Sequence, residues 1–583
     1  MSARRNRPDY LCGFWFIHPC LQKKDSTDAT FQKPVQIHEW QAQQLGPHPA
    51  LRYKRLDTWH DLAWDRYRAD ALACAAALID AGIQPGDRVG LLSDNCIQWL
   101  IADMGILTAA GVNVPPHAAL SARQVHFELQ DAGARWVFVS NHEQLEKVRA
   151  VSKELPDVEG IAVFDTESSG PDAISWSTFL QRGRHALDKL TPELKRRQDS
   201  LESADLATIM YTSGTTGNPK GVMLTHGNLV SNATACLEAS PYEPDSILLS
   251  WLPFSHIYAR LADHYVSLLS GITVCLSETP DTVIQNLAEI QPTHMCAVPR
   301  FYEKVLAAVA SPDPESTARK LRGLFGRRIN WLSSGGAPLP KPVAEAYHAA
   351  GLLVLQGYGL TESSPVISSN RKNRHKIGTV GIPIPGIEVK IAPDGEVLTR
   401  GPHVMKGYWN NPQATAEAIQ NGWLHTGDIG AIDNEGFLSI TGRKKELLVL
   451  SNGKKVVPSY IEGLLVSGQL IDQACVCGEG KPYLTALLVP NWPNLGRALE
   501  ANGKGIGAES PENLVRNPAV RDFLQLHIEA LLKDVAQWER IKRFILLPQA
   551  FTVAADEMTV SLKLRRNVVL AKYTALVESL YRD

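Results

Sequence analysis

Short apolar runs punctuate this chain, and the stretches between them carry helical spacing. Val89 to Leu92 follows the turn-forming Pro85, Gly86 and Asp87 and reads as a buried strand. Similar runs lie at 136–139, 161–164, 207–210, 272–276, 294–298, 329–333 and 352–355. Upstream, Tyr67, Ala71, Cys74 and Leu78 recur at helical intervals until Gly82, and Thr58 with Asp61 has the spacing of a capping box. Order is therefore expected to begin near Thr58, with residues 1–50 as an irregular extension. Alternation of strand and helix on this scale predicts parallel sheets covered by helices, an α/β architecture.

The pattern changes after about residue 380. Ile387 to Ile391 alternates, Pro393-Asp394-Gly395 turns, and Val397-Leu398 resumes. Ile429 to Ile432, the turn at 433–436 and Phe437 to Ile440 repeat the plan, which predicts hairpins and a smaller antiparallel unit over about 380–442. The charged run at 443–446 reads as a linker, and residues 447–583 suffice for a separate small domain.

Length and charge narrow the field. A chain of 583 residues exceeds a single core. Lys and Arg total 59 against 61 Asp and Glu, a net charge of −2, which argues against a protein that coats nucleic acid or anionic membrane. Nine scattered cysteines suit reduced core thiols in a cytoplasmic protein better than a disulfide scaffold, and Cys475-x-Cys477 stands alone. No run approaches the roughly 18 apolar residues of a membrane span. The apolar part of the N-terminus is interrupted by His18 and Pro19 and does not read as a signal peptide.

The most informative segment is Tyr211-Thr-Ser-Gly-Thr-Thr-Gly-Asn-Pro-Lys-Gly221, directly after a strand-like run. Glycines allow close backbone approach, while hydroxyls, N–H groups and Lys220 donate to phosphate oxygens. It is not a Walker loop. Gly217 follows Gly214 too soon, and Gly221 stands where Ser or Thr is required.

This segment closely resembles the phosphate loop of the AMP-forming adenylating enzymes, the superfamily of acyl-CoA synthetases, luciferases and peptide-synthetase adenylation domains. Other motifs of that family follow in order: Leu252-Pro-Phe-Ser-His256, Ser334-Gly-Gly-Ala-Pro-Leu339, Gln356-Gly-Tyr-Gly-Leu-Thr-Glu362, Trp423-Leu-His-Thr-Gly-Asp-Ile-Gly430, Gly442-Arg-Lys-Lys-Glu446 and Ser561-Leu-Lys-Leu-Arg-Arg566. The resemblance runs from about residue 50 to the C-terminus. It implies a large N-terminal domain of parallel α/β sheets with a small antiparallel β-barrel unit, a hinge, and a small mobile α+β C-terminal domain.

The resemblance also assigns roles. Thr212, Ser213, Gly214, Thr215, Thr216, Gly217 and Lys220 would hold the β- and γ-phosphates of ATP. Gly336, Ala337 and Pro338 would lie on the adenine side, and Gln356, Gly357, Tyr358 and Gly359, in the central motif, would bind ATP or AMP. Asp428 would accept from both ribose hydroxyls, and Arg443 would contact ribose or phosphate. Thr361 would bind phosphate or the metal's surroundings, and Glu362 would place Mg²⁺, a hard cation that prefers oxygen. His256 would lie beside the acyl group. Lys563 would reach the α-phosphate and carboxylate oxygens, where charge accumulates. Lys445 marks the hinge, and Asn452, Gly453 and Lys454 would face the CoA thiol channel once the small domain turns.

The segment from Leu252 to Gly271 and Val298-Pro-Arg-Phe-Tyr-Glu-Lys304 resemble the long-chain fatty acyl-CoA synthetase branch. The expected substrates are a fatty acid, ATP and CoA, with no nucleic acid partner; peripheral membrane contact and oligomeric state stay open. Two alternatives stand beside this reading. One is a ligase that activates an acyl or aryl acid for a carrier-protein phosphopantetheine; the other is a non-catalytic acyl- or nucleotide-binding relative.

Overall fold

The computed structural model describes residues 31–165, 170, 172–212, 219–503, 509–559 and 563–582. Each apolar run named above from Val89 onward overlaps a strand. One sheet has nine strands, in the order Ile382–Pro383, Val366–Ser369, Val354–Gly359, Trp331–Ser334, His294–Ala297, Ile247–Ser250, Thr273–Leu276, Pro49–Arg55 and Thr58–Ala63. Its central members run parallel, and antiparallel strands close both edges. The second sheet has eight: Gly407–Tyr408, Lys220–Thr225, Leu206–Thr212, Val112–Val114, Arg88–Leu92, Ala134–Val139, Gly160–Val163 and Ile174–Ser175. Val89, Leu91, Val137 and Val139 are fully buried, the continuous burial expected of parallel strands covered on both faces.

Two sequence expectations fail here. The segment Thr58–Ala63 is a strand, and the helix begins at Trp64. Leu56 and Asp57 both take positive φ, the two-residue turn that suits a twisted hairpin, and Asp61 pairs across the strands with Arg52 at 2.6 Å instead of capping a helix. The presumed extension also holds a helix, Pro34–Leu45. Polar His38 and Gln41 lie on its buried face, so its inward stripe carries no clear hydrophobic period.

The antiparallel unit comprises Glu388–Ile391, Glu396–Arg400, Trp423–Ile432 and Ile419–Gln420, with Leu438–Arg443 also on Trp423–Ile432. The small domain pairs Ile471–Cys477 with Leu484–Pro490, and the latter runs parallel to Ile541–Leu546. Helices Pro458–Ser467 and Pro518–Leu531 contribute Ile461, Leu465 and Leu524 to its own core. Cys475 and Cys477 are buried on the other face of that sheet, against Phe551 and Val569. An ion pair of 3.2 Å, Arg300 with Asp472, joins the two domains. Among the described residues no helix is long and apolar enough to cross a membrane.

Candidate active site

Strands Leu206–Thr212 and Lys220–Thr225 are antiparallel neighbours, with Thr212 opposite Lys220. They bracket the glycine-rich loop; Ser213, Gly214, Thr215, Thr216 and Gly217 themselves lie outside the described residues. The Lys220 ammonium sits 4.8 Å from the centre of the Tyr408 ring. Tyr408 reaches this place because Gly407–Tyr408 adds an edge strand to Lys220–Thr225. Its hydroxyl donates to Glu362 Oε1 at 2.8 Å. One aromatic ring thus joins the phosphate-loop lysine to the carboxylate of the central motif.

Glu362 and Thr361 lie on a single 3₁₀ turn after the strand Val354–Gly359. Gly359 makes that turn feasible, since a Cβ there would fall 1.8 Å from the Pro365 carbonyl oxygen. The backbone carbonyl of Glu362 also accepts from Met405 N at 2.9 Å, which ties the turn to the segment that carries Tyr408.

The same strand carries Gln356, Gly357 and Tyr358. The Tyr358 hydroxyl donates to Asp428 Oδ2 at 2.7 Å. Arg443 Nε lies 3.1 Å from Asp428 Oδ1, the two residues being opposite in the antiparallel unit. Asp428 is buried at 5% exposure, and one hydrogen bond, from Tyr358, and one ion pair, with Arg443, hold its carboxylate in one orientation. Burial, and next the Asp428 charge, push the Tyr358 phenol well above its usual range, so it remains a donor.

Gly336, Ala337 and Pro338 follow the strand Trp331–Ser334, beside Val354–Gly359. Gly336 takes φ +81°, a left-handed conformation that glycine adopts without strain. The preceding Gly335 lies against the Tyr258 ring, whose hydroxyl bonds Ser333 Oγ at 2.8 Å. Tyr258 in turn follows His256, whose Nδ1 accepts from the Tyr258 backbone N–H at 3.3 Å. Burial, then the Lys563 and His117 charges, lower the His256 pKa to about 4, so its ring is neutral at pH 7.

Lys563 reaches this group from the small domain. Its backbone is held by Thr559, which accepts from Lys563 N at 3.0 Å through Oγ1. Arg565 pairs with Asp556, and Arg566 with Glu462 at 2.7 Å, both within the small domain. Lys563 instead has Arg443, Asp428, Glu362 and Glu446 as electrostatic neighbours. It keeps solvent-exposed surface, yet desolvation at its ammonium and then the Arg443 charge lower its pKa, while the three carboxylates oppose that shift.

Lys445 is exposed on the turn Lys444–Glu446, where its neighbour Lys444 pairs with Asp394 at 2.7 Å and Glu396 at 2.9 Å. Asn452, Gly453 and Lys454 form an exposed turn, with Lys454 Nζ 4.6 Å from the centre of the Trp538 ring of the same domain. The structure therefore sets Lys563 in the electrostatic surroundings of Glu362, Asp428 and Arg443, and leaves the 452–454 turn on the small domain's surface.

Tyr408 escaped the sequence reading, and Tyr258, though inside the segment Leu252 to Gly271, carried no role there. Tyr408 lies between recognisable motifs in Gly407-Tyr408-Trp409, and its one signal was an aromatic pair after a glycine.

The AMP-binding enzyme family matches residues 38–409, and its C-terminal domain matches 445–583. The long-chain-fatty-acid–CoA ligase FadD15 of Mycobacterium tuberculosis is 35% identical over 576 residues, covering 91% of this chain and 94% of that protein. The long-chain-fatty-acid–CoA ligase ACSBG2 of Xenopus laevis is 28% identical, covering 97% and 86%. Among solved structures, the anthranilate CoA ligase AuaEII with anthranoyl-AMP superposes at TM-score 0.75, with 20% identity over 94% of this chain and 98% of that one. The adenylation domain of a carboxylate reductase from Mycobacterium chelonae superposes at 0.76, with 23% identity over 94% and 91%. The match over most of the large domain and the whole of the small one shows that the chain belongs to the AMP-binding enzyme family.

Proposed function

We propose that this chain is an AMP-forming fatty acid–CoA ligase of the long-chain type. A fatty carboxylate oxygen attacks the α-phosphorus of ATP, the bond to the β-phosphate oxygen breaks, and pyrophosphate leaves. The CoA thiolate then attacks the acyl carbonyl and AMP leaves. The observation that supports this reading is that Lys563, on the small domain, has Arg443, Asp428 and Glu362 of the central and ribose motifs as its electrostatic neighbours. The long-chain preference rests on the relatives' names and their coverage of nearly the whole chain.

Each residue has work consistent with its surroundings. Asp428, fixed by Tyr358 and Arg443, accepts from ribose hydroxyls. Gly336 to Pro338, in the loop after the strand Trp331–Ser334, lie on the adenine side, and Gln356 to Gly359, at the end of the neighbouring strand, contact the nucleotide. Lys220 and the loop before it take the outer phosphates, and Thr361 supports them. Lys563 supplies positive charge where the pentavalent phosphorus gains negative charge. Neutral His256 lines the acyl pocket without drawing the carboxylate away from phosphorus. For the second step the small domain turns about Lys445, withdraws Lys563 and presents Asn452, Gly453 and Lys454 to the thiol.

A magnesium ion fits the donor set. Among the described residues no group of three or more His, Cys, Asp or Glu is placed to hold a metal. Glu362 offers one hard carboxylate, and Mg²⁺ takes one or two such ligands with triphosphate oxygens and water as the remainder. Bound with ATP, the ion would neutralise triphosphate charge.

A panel of carboxylic acids with ATP, Mg²⁺ and CoA tests the reading. AMP and pyrophosphate are expected in equal amounts, with thioester formed from long-chain acids; stoichiometric ADP would overturn it. Glu362→Gln is expected to raise the Mg²⁺ needed for half-maximal adenylation about tenfold, because a charged ligand is replaced by a neutral one of equal reach. Thioester formation from supplied acyl-adenylate should change much less. Superimposable Mg²⁺ curves would remove Glu362 from the site.

A further inference from the structure

Tyr408 belongs to none of the nucleotide motifs, yet it touches a member of each of two. Its ring lies under the Lys220 ammonium at 4.8 Å, and its hydroxyl donates to Glu362 Oε1 at 2.8 Å. Lys220 and Glu362 come from different sheets and carry opposite charges. With no nucleotide bound, such groups tend to collapse into a direct ion pair, which would block the place where phosphate and metal must enter. We propose that Tyr408 is a positioning residue that holds Lys220 and Glu362 apart and preset for a metal–triphosphate. This inference rests on the adenylating reading above.

The local structure is built to keep Tyr408 in place. Its backbone N–H donates to Thr415 Oγ1 at 2.9 Å, and it pairs with Val222 on the strand that starts at Lys220. Gly407 lies so close to Thr415 that a Cβ would fall 2.7 Å from its methyl group. Met405, two residues earlier, binds the Glu362 carbonyl. Ring and backbone therefore report to the same two motifs.

The two halves of the side chain make separable predictions. Tyr408→Phe removes the bond to Glu362 and keeps the ring under Lys220. It should raise the Mg²⁺ concentration for half-maximal adenylation about fivefold to tenfold, as expected for a lost hydrogen bond to a charged group. Tyr408→Leu also removes the ring. It should weaken ATP binding in the absence of Mg²⁺ by a further factor of about three. Combining Tyr408→Phe with Glu362→Gln should add little to Glu362→Gln alone, because both act through one carboxylate.

The experiment measures ATP, MgATP and AMP binding by calorimetry on the full-length protein, together with ATP–pyrophosphate exchange and thermal melting. Weakened MgATP binding with AMP binding and melting temperature unchanged supports the proposal, since AMP lacks the phosphates and metal concerned. Equal weakening of AMP binding, or MgATP binding like that of the wild type in Tyr408→Phe, overturns it. If the wild type itself supports no ATP–pyrophosphate exchange with any acid, the adenylating reading fails and this inference fails with it. Exchange by the wild type with unaltered Tyr408→Phe fails this inference alone.

Discussion

Lys563→Ala is expected to slow acyl-adenylate formation at least about 100-fold, the scale of loss when a donor aimed at developing charge is removed. The same variant should convert supplied acyl-adenylate and CoA to thioester at nearly the wild-type rate. The asymmetry follows from where Lys563 stands. It is the cation of its segment whose neighbours are Glu362, Asp428 and Arg443, whereas Arg565 and Arg566 are engaged by Asp556 and Glu462. Adenylation builds negative charge on phosphorus oxygens; thioester formation needs no charge there. ATP–pyrophosphate exchange and single-turnover thioester formation read the two steps separately, and an equal loss in both would sink the two-orientation account. The lowered pKa adds a sign. The ammonium is the working form, so adenylation should fail as pH rises through a midpoint below that of an ordinary lysine, and this basic limb should vanish in Lys563→Arg.

Much of this was legible in the chain because the signals were local. An apolar run such as Val137 to Val139 needs nothing distant to read as a strand, and the glycine-rich loop announces phosphate chemistry by its own residue types. What stayed hidden depended on partners far away in sequence. Thr58–Ala63 resembles a helix start until Pro49–Arg55 pairs with it. Tyr408 looks like an edge aromatic until Glu362 and Lys220 meet it from two sheets. The helix Pro34–Leu45 buries His38 and Gln41, and only the side chains around them make that face an inside. Gln41 donates to the Leu269 carbonyl across more than two hundred residues of chain. Pattern reveals elements that bury apolar surface, while polar interiors are visible only in the packed molecule.

The most consequential polar interior lies beneath the segment Leu252 to Arg260, and Asp103→Ala is expected to destabilise the large domain by about 3–5 kcal/mol. Asp103 and Arg260 are both fully buried, with the Arg260 guanidinium 2.5 Å from Asp103 Oδ1. Asp103 Oδ2 also accepts from the Tyr265 hydroxyl at 2.8 Å, and Oδ1 accepts from Asn113 Nδ2 at 2.6 Å. Arg260 donates to Thr208 Oγ1 at 2.7 Å, which joins the pair to the strand that leads into the phosphate loop. Removing the carboxylate leaves a guanidinium with no anion at zero exposure, and that uncompensated charge is the main cost. For a domain of about 400 residues the unfolding entropy is near 0.8 kcal/mol/K, so a loss of about 4 kcal/mol lowers the midpoint by about 5 °C. Replacing both partners, Asp103→Leu with Arg260→Met, should cost less than the two single changes together, because no charge is then stranded. Arg260 opens the π-helical turn Arg260–Tyr265, four residues after His256, so the single variant should also weaken acid binding. Thermal melting of the two single variants and the double variant decides the matter. Additive losses would mean that the pair is two independent contacts and not one buried unit.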